Sequence, residues 1–186
     1  MKKNFYNSYF KKITNALFGV ETNKIDSLYK LIIKTSRSKS TIFLFGNGAN
    51  ISTASHVATD FTKNAKIKTI SPNDSNLITC FSNDYGFKNW IAKTLEYYAS
   101  KKDLVILLSA SGESENLIKA AQYCRKKKIK IVTITGFKKN NSLSKKGNLN
   151  LWINSKAYNI VEIVQMSILL SMVDKKIGTE IYSSKL

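Results

Sequence analysis

One pattern, stated three times, constrains this chain more than any other feature. A short, largely apolar run meets a turn rich in Gly, Ser or Thr, and after the first two a segment of helical length follows. Thr41-Ile-Phe-Leu-Phe45 ends in Gly46-Asn47-Gly48, Leu104-Val-Ile-Leu-Leu108 in Ser109-Ala-Ser-Gly-Glu-Ser114, and Ile129-Lys-Ile-Val-Thr-Ile134 in Thr135-Gly136. Runs of this length, apolar without alternation, are strands buried on both faces. Weaker strands are expected near Ile67–Ile70 and Leu149–Ile153, and helices over roughly 50–64, 87–100, 114–127 and 158–175. Strands alternating with helices call for right-handed crossovers and a parallel sheet covered on both sides. Ligands in such sheets bind at the carboxyl ends of the strands, which puts the 46–50 and 109–114 loops at the working edge.

Ahead of this α/β core, Phe5, Tyr6, Tyr9, Phe10, Ile13 and Leu17 recur at helical spacing, and Ile25, Leu28, Leu31 and Ile32 line a second helix. No repeat or linker divides the 186 residues, so the expected organisation is one domain over 1–186, with N-terminal helices over 1–38 and the core over 40–175. The apolar residues after Lys2 and Lys3 are broken by Asn7, Ser8, Lys11 and Lys12, so no secretory signal is legible. Cys80 and Cys124 form no CxxC pair or disulfide framework, and a reduced cytoplasmic location is expected. No stretch reaches the ~20 apolar residues that span a bilayer.

The 109–114 loop has the chemistry of an anion site. Gly112 lets the backbone fold sharply, Ser109, Ser111 and Ser114 supply hydroxyls, and the following helix adds free N–H groups with about half a positive charge. Spacing alone fits an ordinary serine-rich helix cap equally well. On another helix His56 and Asp60 stand four apart and share one face, a spacing that suits either a structural pair or proton transfer.

Ser-x-Ser-Gly-x-Ser between an apolar strand and a helix resembles the sugar-phosphate motif of the SIS (sugar isomerase) domain family. Gly46-Asn-Gly-Ala-Asn-Ile-Ser-Thr-Ala-Ser-His-Val-Ala-Thr-Asp60 is similar to the Gly-Asn-Gly-Gly-Ser…His-x-x-x-Glu/Asp segment of its phosphoheptose isomerase branch, and Ser82-Asn-Asp-Tyr-Gly-Phe87 to that branch's Asn-Asp loop. The resemblance covers about residues 40–175. It implies a doubly wound SIS-type sheet of about five strands with an N-terminal helical extension. By it, Ser109, Ser111, Gly112 and Ser114 hold a substrate phosphate, and Asn47, Gly48, Ala49, Asn50, Asn83 and Asp84 line the sugar. His56 and Asp60 become the catalytic residues and metal ligands. It further implies a homotetramer with sites between subunits and a place in lipopolysaccharide or capsule heptose biosynthesis.

The chain departs from that branch in places that matter. Ala49 replaces a Gly and Asn50 a Ser, which alters the pocket. The branch adds a Gln and a second His from the last helix to bind zinc, but aligning Tyr158–Leu169 on that helix puts Val161 and Leu169 there. No register shift helps, because the chain has one His. Zinc takes three or four ligands; His56 and Asp60 are two, with Glu162 and Gln165 as weaker additions, so no cofactor is established. Two functions follow: an aldose–ketose isomerase acting on sedoheptulose 7-phosphate, or a non-catalytic phosphosugar-binding regulator or scaffold, similar to the tetramer of this branch that binds the replication initiator DnaA.

Net charge is +18, yet only Arg37 and Arg125 are arginines. Lysine is a point charge without the planar fork that reads bases and pairs with phosphates. The run Lys126, Lys127, Lys128 and Lys130 sits where lysine complements a helix C-terminus. Nucleic acid is therefore not the expected partner. The last helix, from Ile160 to Val173, is apolar nearly all round, as at a subunit interface.

Overall fold

The computed structural model describes residues 4–182. Its elements run α1 (Phe5–Phe18), α2 (Thr22–Arg37), β1 (Ile42–Phe45), α3 (Ala49–Lys63), β2 (Thr69–Ile70), α4 (Ser75–Tyr85), α5 (Trp90–Tyr98), β3 (Leu104–Ser109), α6 (Glu115–Lys127), β4 (Lys130–Thr135), β5 (Leu149–Trp152) and α7 (Tyr158–Ile177), with a 3₁₀ turn at Ser144–Lys146. The expected N-terminal helical extension is present from Phe5; Lys2 and Lys3 lie outside the described residues.

All five strands are parallel, in the order β2-β1-β3-β4-β5. The chain therefore leaves β1 in one direction to form β2, then returns to build β3 on the other side of β1. Because each crossover is right-handed, reversing direction across the sheet moves the connecting helix to the opposite face. The packing follows this rule. Ile42, Leu44, Leu104, Ile106 and Leu108 face a core shared with α2, α3 and α7. The alternate residues Phe43, Phe45, Val105 and Leu107 face a second core with α5 and α6, around Trp90, Leu95 and Leu117. Period-2 side-chain alternation thus supplies both cores from the same strands, which explains why β1 is apolar at every position and β3 at every position before Ser109.

The register is fixed at both ends of the β1–β3 pair. Ile42 to Phe45 align with Leu104 to Leu107. At the amino end, buried Asp103 accepts hydrogen bonds from the Thr41 amide at 2.8 Å, the Ser100 amide at 2.7 Å and the Ser100 hydroxyl at 2.9 Å. Charge-assisted bonds of this kind stabilise more than neutral ones. The carboxyl ends of β1 and β3, side by side, form the point where the strand order switches direction, and a crevice opens there.

One element departs from the expectation. The Asn83–Asp84 segment is not a loop: it forms the last turn of α4. That helix starts at Asp74, whose carboxylate accepts the Asn76 amide at 2.9 Å, and packs Leu77, Ile78 and Phe81 on the second core. Packing of this stripe outweighs the weak helix propensity of its Ser, Asn and Asp residues. Asn and Asp here end a helix instead of making a turn between elements.

The two cysteines experience opposite environments. Cys80 is exposed on α4, whereas Cys124 is buried under α6, where loss of water pushes its thiol up to about 12. Only the thiolate reacts with disulfide reagents. The native protein is expected to release one equivalent of thionitrobenzoate from Ellman's reagent, and two after unfolding in guanidinium. Rapid release of two from the native protein would contradict this packing.

Candidate functional site

Two loops and one helix start converge at the switch point. After β1 the chain turns through Gly46-Asn47-Gly48 into α3. A side chain at Gly46 would overlap Asn50, and Gly48, at φ +55°, has open space around it. Asn47 is pinned across the crevice by a reciprocal amide pair: its Nδ2 donates to Asn116 Oδ1 at 2.9 Å, and Asn116 Nδ2 donates to Asn47 Oδ1 at 2.8 Å. Asn116 Oδ1 also accepts the Leu117 amide at 2.9 Å. One buried side chain thus ties the β1–α3 loop to the first turn of α6. Asn116 went unnoticed in the sequence because its partner is 69 residues away.

The β3–α6 loop is closed by its own serines. The Gly112 amide donates to Ser109 Oγ at 3.0 Å, the Glu113 amide donates to Ser111 Oγ at 3.2 Å, and Ser109 Oγ lies 3.4 Å from Ser114 Oγ. A hydroxyl that accepts a bond still has its proton to give. Ser114 is the residue before α6 and makes no side-chain cap. Among the described residues, nothing accepts the amides of Ser114, Glu115 and Asn116. Three hydroxyls and three outward amides at a helix N-terminus can hold an anion without any lysine.

A third segment, 137–146, crosses this loop. Asn141 is 2% exposed and packs where a Gly112 side chain would stand. Its Nδ2 donates to the Lys138 and Gly136 carbonyls, and its Oδ1 accepts the Ser144 amide at 2.8 Å. The Leu143 amide donates to the Gly112 carbonyl at 2.9 Å, and the Ser142 amide donates to Glu113 Oε1 at 3.0 Å. The Ser142 hydroxyl and then its amide hold the Glu113 carboxyl below the ordinary carboxylate range, with Lys138 and Lys145 contributing. That contribution to stability is complete above the ordinary glutamate pKa and is lost as pH falls through the lowered value.

The open face between these pieces is a groove of about 490 Å³ lined by Asn47, Gly86, Phe87, Lys88, Ser114, Glu115 and Asn116. Gly86, Phe87 and Lys88, just past α4, reach it. Asn83 and Asp84 are exposed and bonded to each other, Asn83 Nδ2 donating to Asp84 Oδ1 at 2.9 Å, and neither lines the groove. Ala49 is exposed beside the turn, whereas Asn50 is buried with its Oδ1 unpartnered. The Cβ of Asn50, an atom serine would share, lies under Gly46, so what asparagine adds over serine is its carboxamide.

His56 and Asp60 do come together: Nε2 lies 3.3 Å from Oδ2, with the imidazole half exposed, and Asp60 Oδ1 accepts from Asn64 at 3.3 Å. They stand two and three turns along α3 from the Asn47 turn, roughly 12–18 Å at 1.5 Å per residue. Within the chain they are therefore remote from the Asn47 turn. Val161 and Leu169 are fully buried in the first core, Val161 against Gly136. Gln165 is also fully buried, its Nε2 donating to the Ile134 carbonyl at 2.7 Å and its Oε1 without a partner. Burial raises the half-buried Glu162 carboxyl. Among the described residues no group of three His, Cys, Asp or Glu gathers within metal-binding range. His56 and Asp60 alone do not make a zinc site in one protomer.

A parallel doubly wound sheet with a serine-lined, helix-capped loop at its switch point defines an α/β protein equipped to bind an anion there. A family model described as SIS domain matches residues 5–136, and the chain belongs to that family. Within it the similarity runs to phosphoheptose isomerases. The chain is 29% identical over 140 residues to the phosphoheptose isomerase of Thermodesulfovibrio yellowstonii, covering 72% of this chain and 70% of that protein. It is 30% identical over 142 residues to that of Helicobacter pylori (strain 26695), covering 73% of each. The fold matches a phosphoheptose isomerase structure from Francisella tularensis with a TM-score of 0.86 at 20% identity, over 96% of this chain and 100% of that one. A second, from Neisseria gonorrhoeae, matches at 0.84 and 18% identity, over 92% and 97%.

Gly112, at φ +71°, cannot take a side chain without displacing Asn141, whereas Gly48 has only its backbone conformation to defend. Gly48→Ala is expected to cost about 2 kcal/mol, and Gly112→Ala about 4 kcal/mol because strain and overpacking combine. At roughly 2–4 °C per kcal/mol, Tm should fall by about 6 °C and about 12 °C respectively in differential scanning calorimetry. Equal shifts, or a larger one at Gly48, would contradict the interlock.

Proposed function

We propose that this chain binds a sugar phosphate and interconverts its ketose and aldose forms, with a heptose 7-phosphate as substrate. The observation that carries the reading is the 109–114 loop: Ser109 Oγ lies 3.4 Å from Ser114 Oγ, the amides that open α6 are free, and Ser114 lines one groove with Asn47. The kinship with phosphoheptose isomerases supports the ligand class. In this reading Gly112 keeps the loop folded, Gly48 and Ala49 bring backbone close to the sugar, Asn47 lines the pocket and buried Asn50 supports its turn from within, while Asn83 and Asp84 stand outside the groove.

Asp60 is the base. It removes the C1 proton of the ketose to give an enediol and returns a proton at C2 to give the aldose, while His56, bonded to it, relays protons at the sugar oxygens. Since the pair sits far along α3 from the Asn47 turn, the working site joins the phosphate loop of one protomer to the His56–Asp60 pair of another. An oligomer, a homotetramer in this reading, accounts for the exposed Phe5, Tyr6, Phe10 and Phe18 on α1 and Ile163 on α7. No step is assigned to zinc, because the residues here do not assemble its ligands.

A second reading has one specific observation behind it. Val161 and Leu169, where the resemblance places a Gln and a His, are apolar and buried, which favours a protein that binds the phosphosugar without turning it over. Purified protein incubated with sedoheptulose 7-phosphate, with and without zinc, separates the two by ¹³C NMR. Isomerisation predicts aldose formation that falls at least ~10²-fold in Asp60→Asn, the usual loss on removing a general base. Conversion no faster than in Asp60→Asn, with binding retained, would replace the isomerase by the binder.

A further inference from the structure

A carboxylate inside a loop that binds an anion needs explanation. Like charges at contact distances repel by about 1 kcal/mol in bulk water and more near a protein surface. Yet Glu113 stands in the middle of the serine loop, between Gly112 and Ser114. Its carboxylate is turned away from the groove onto the crossing segment, where it accepts the Ser142 amide at 3.0 Å. This contact is one of three that mate residues 141–143 with residues 112–113. Asn141 packs on Gly112, and Leu143, whose side chain is buried in the second core, donates its amide to the Gly112 carbonyl. Glu113 supplies the only charged partner in this joint.

The consequence is mechanical. The Leu143 bond fixes the peptide between residues 112 and 113, the Ser142 bond fixes the side chain of residue 113, and together they set the direction of the Ser114, Glu115 and Asn116 amides. Lys138 and Lys145, on the same crossing segment, offset the carboxylate's charge. We propose that Glu113 is a positioning residue: by clasping Ser142 it holds the 137–146 segment against the serine loop and keeps the loop's hydroxyls and helix-start amides aimed at the phosphate. This rests on the phosphosugar reading of the 109–114 loop.

The clasp and simple electrostatics predict opposite signs. If Glu113 acted only as a nearby negative charge, Glu113→Ala and Glu113→Gln would both tighten phosphosugar binding. With the clasp, Glu113→Ala frees the segment and weakens binding about tenfold. Glu113→Gln keeps an oxygen for the Ser142 amide, removes the repulsion, and binds as tightly as the unaltered chain or tighter. Calorimetric titration with sedoheptulose 7-phosphate measures the order. Amide hydrogen exchange in the ligand-free protein measures the clasp itself: Ser142 and Leu143 should exchange at least about tenfold faster in Glu113→Ala, and at nearly the original rate in Glu113→Gln, with Ile106 unchanged in both. Affinity in Glu113→Ala equal to or above that of the unaltered chain overturns the proposal, as does unchanged exchange at Ser142 and Leu143. An unaltered chain that binds no phosphosugar overturns the underlying reading instead, and the exchange result tells the two failures apart.

Discussion

The pairing of β1 with β3 is the constraint on which the rest depends. Because β2 is built on one side of β1 and β3 on the other, the two strands whose carboxyl ends carry the Gly46–Gly48 and Ser109–Ser114 turns are neighbours, in register from Ile42–Leu104 to Phe45–Leu107. A register slip of one residue would send Phe43 and Phe45 into the wrong core and separate the two turns. The Asn47–Asn116 pair then closes the crevice, and the Asn141–Leu143 strap braces it from the β4 side. The helices on both faces hold this geometry and leave the groove beside Asn47 and Ser114 open.

Much of this was legible in the sequence because it is local. The three apolar runs, the serine loop and the helical spacing of His56 and Asp60 are each contained in fewer than a dozen residues, and the structure places them where the pattern puts them. Residues 82–87 read as a loop for a physical reason: Ser82-Asn-Asp-Tyr-Gly86 carries the composition of a turn, although 82–85 close α4. The local signal of α4 is the stripe Leu77, Ile78 and Phe81 with Asp74 as cap after Pro72. What the sequence could not disclose is contact at a distance. Nothing local in Asn116 indicates Asn47, and nothing in Glu113 or Gly112 indicates Ser142 or Asn141, 29 residues on.

The apolar substitutions on α7 have a structural counterpart. Val161 and Leu169 are fully buried in the core against α3 and the sheet, and Gln165 spends its amide on the Ile134 carbonyl. This helix has been committed to packing. The 109–114 loop carries every polar residue that the resemblance assigns to it, whereas the catalytic set that the resemblance implies is reduced to His56 and Asp60. The charge of +18 is not required by the proposed site, whose donors are hydroxyls and amides, and lysine would act there at most by attracting an anion.

The central claim is that the 109–114 loop is where a phosphosugar's phosphate binds, and a crystal structure with sedoheptulose 7-phosphate bound tests it most directly. The account predicts the phosphate within hydrogen-bonding distance of the Ser109, Ser111 and Ser114 hydroxyls and the amides that open α6, with the sugar running toward Asn47. A phosphate bound elsewhere, or a serine loop that stays closed on itself with the sugar absent from the Asn47 crevice, would contradict it.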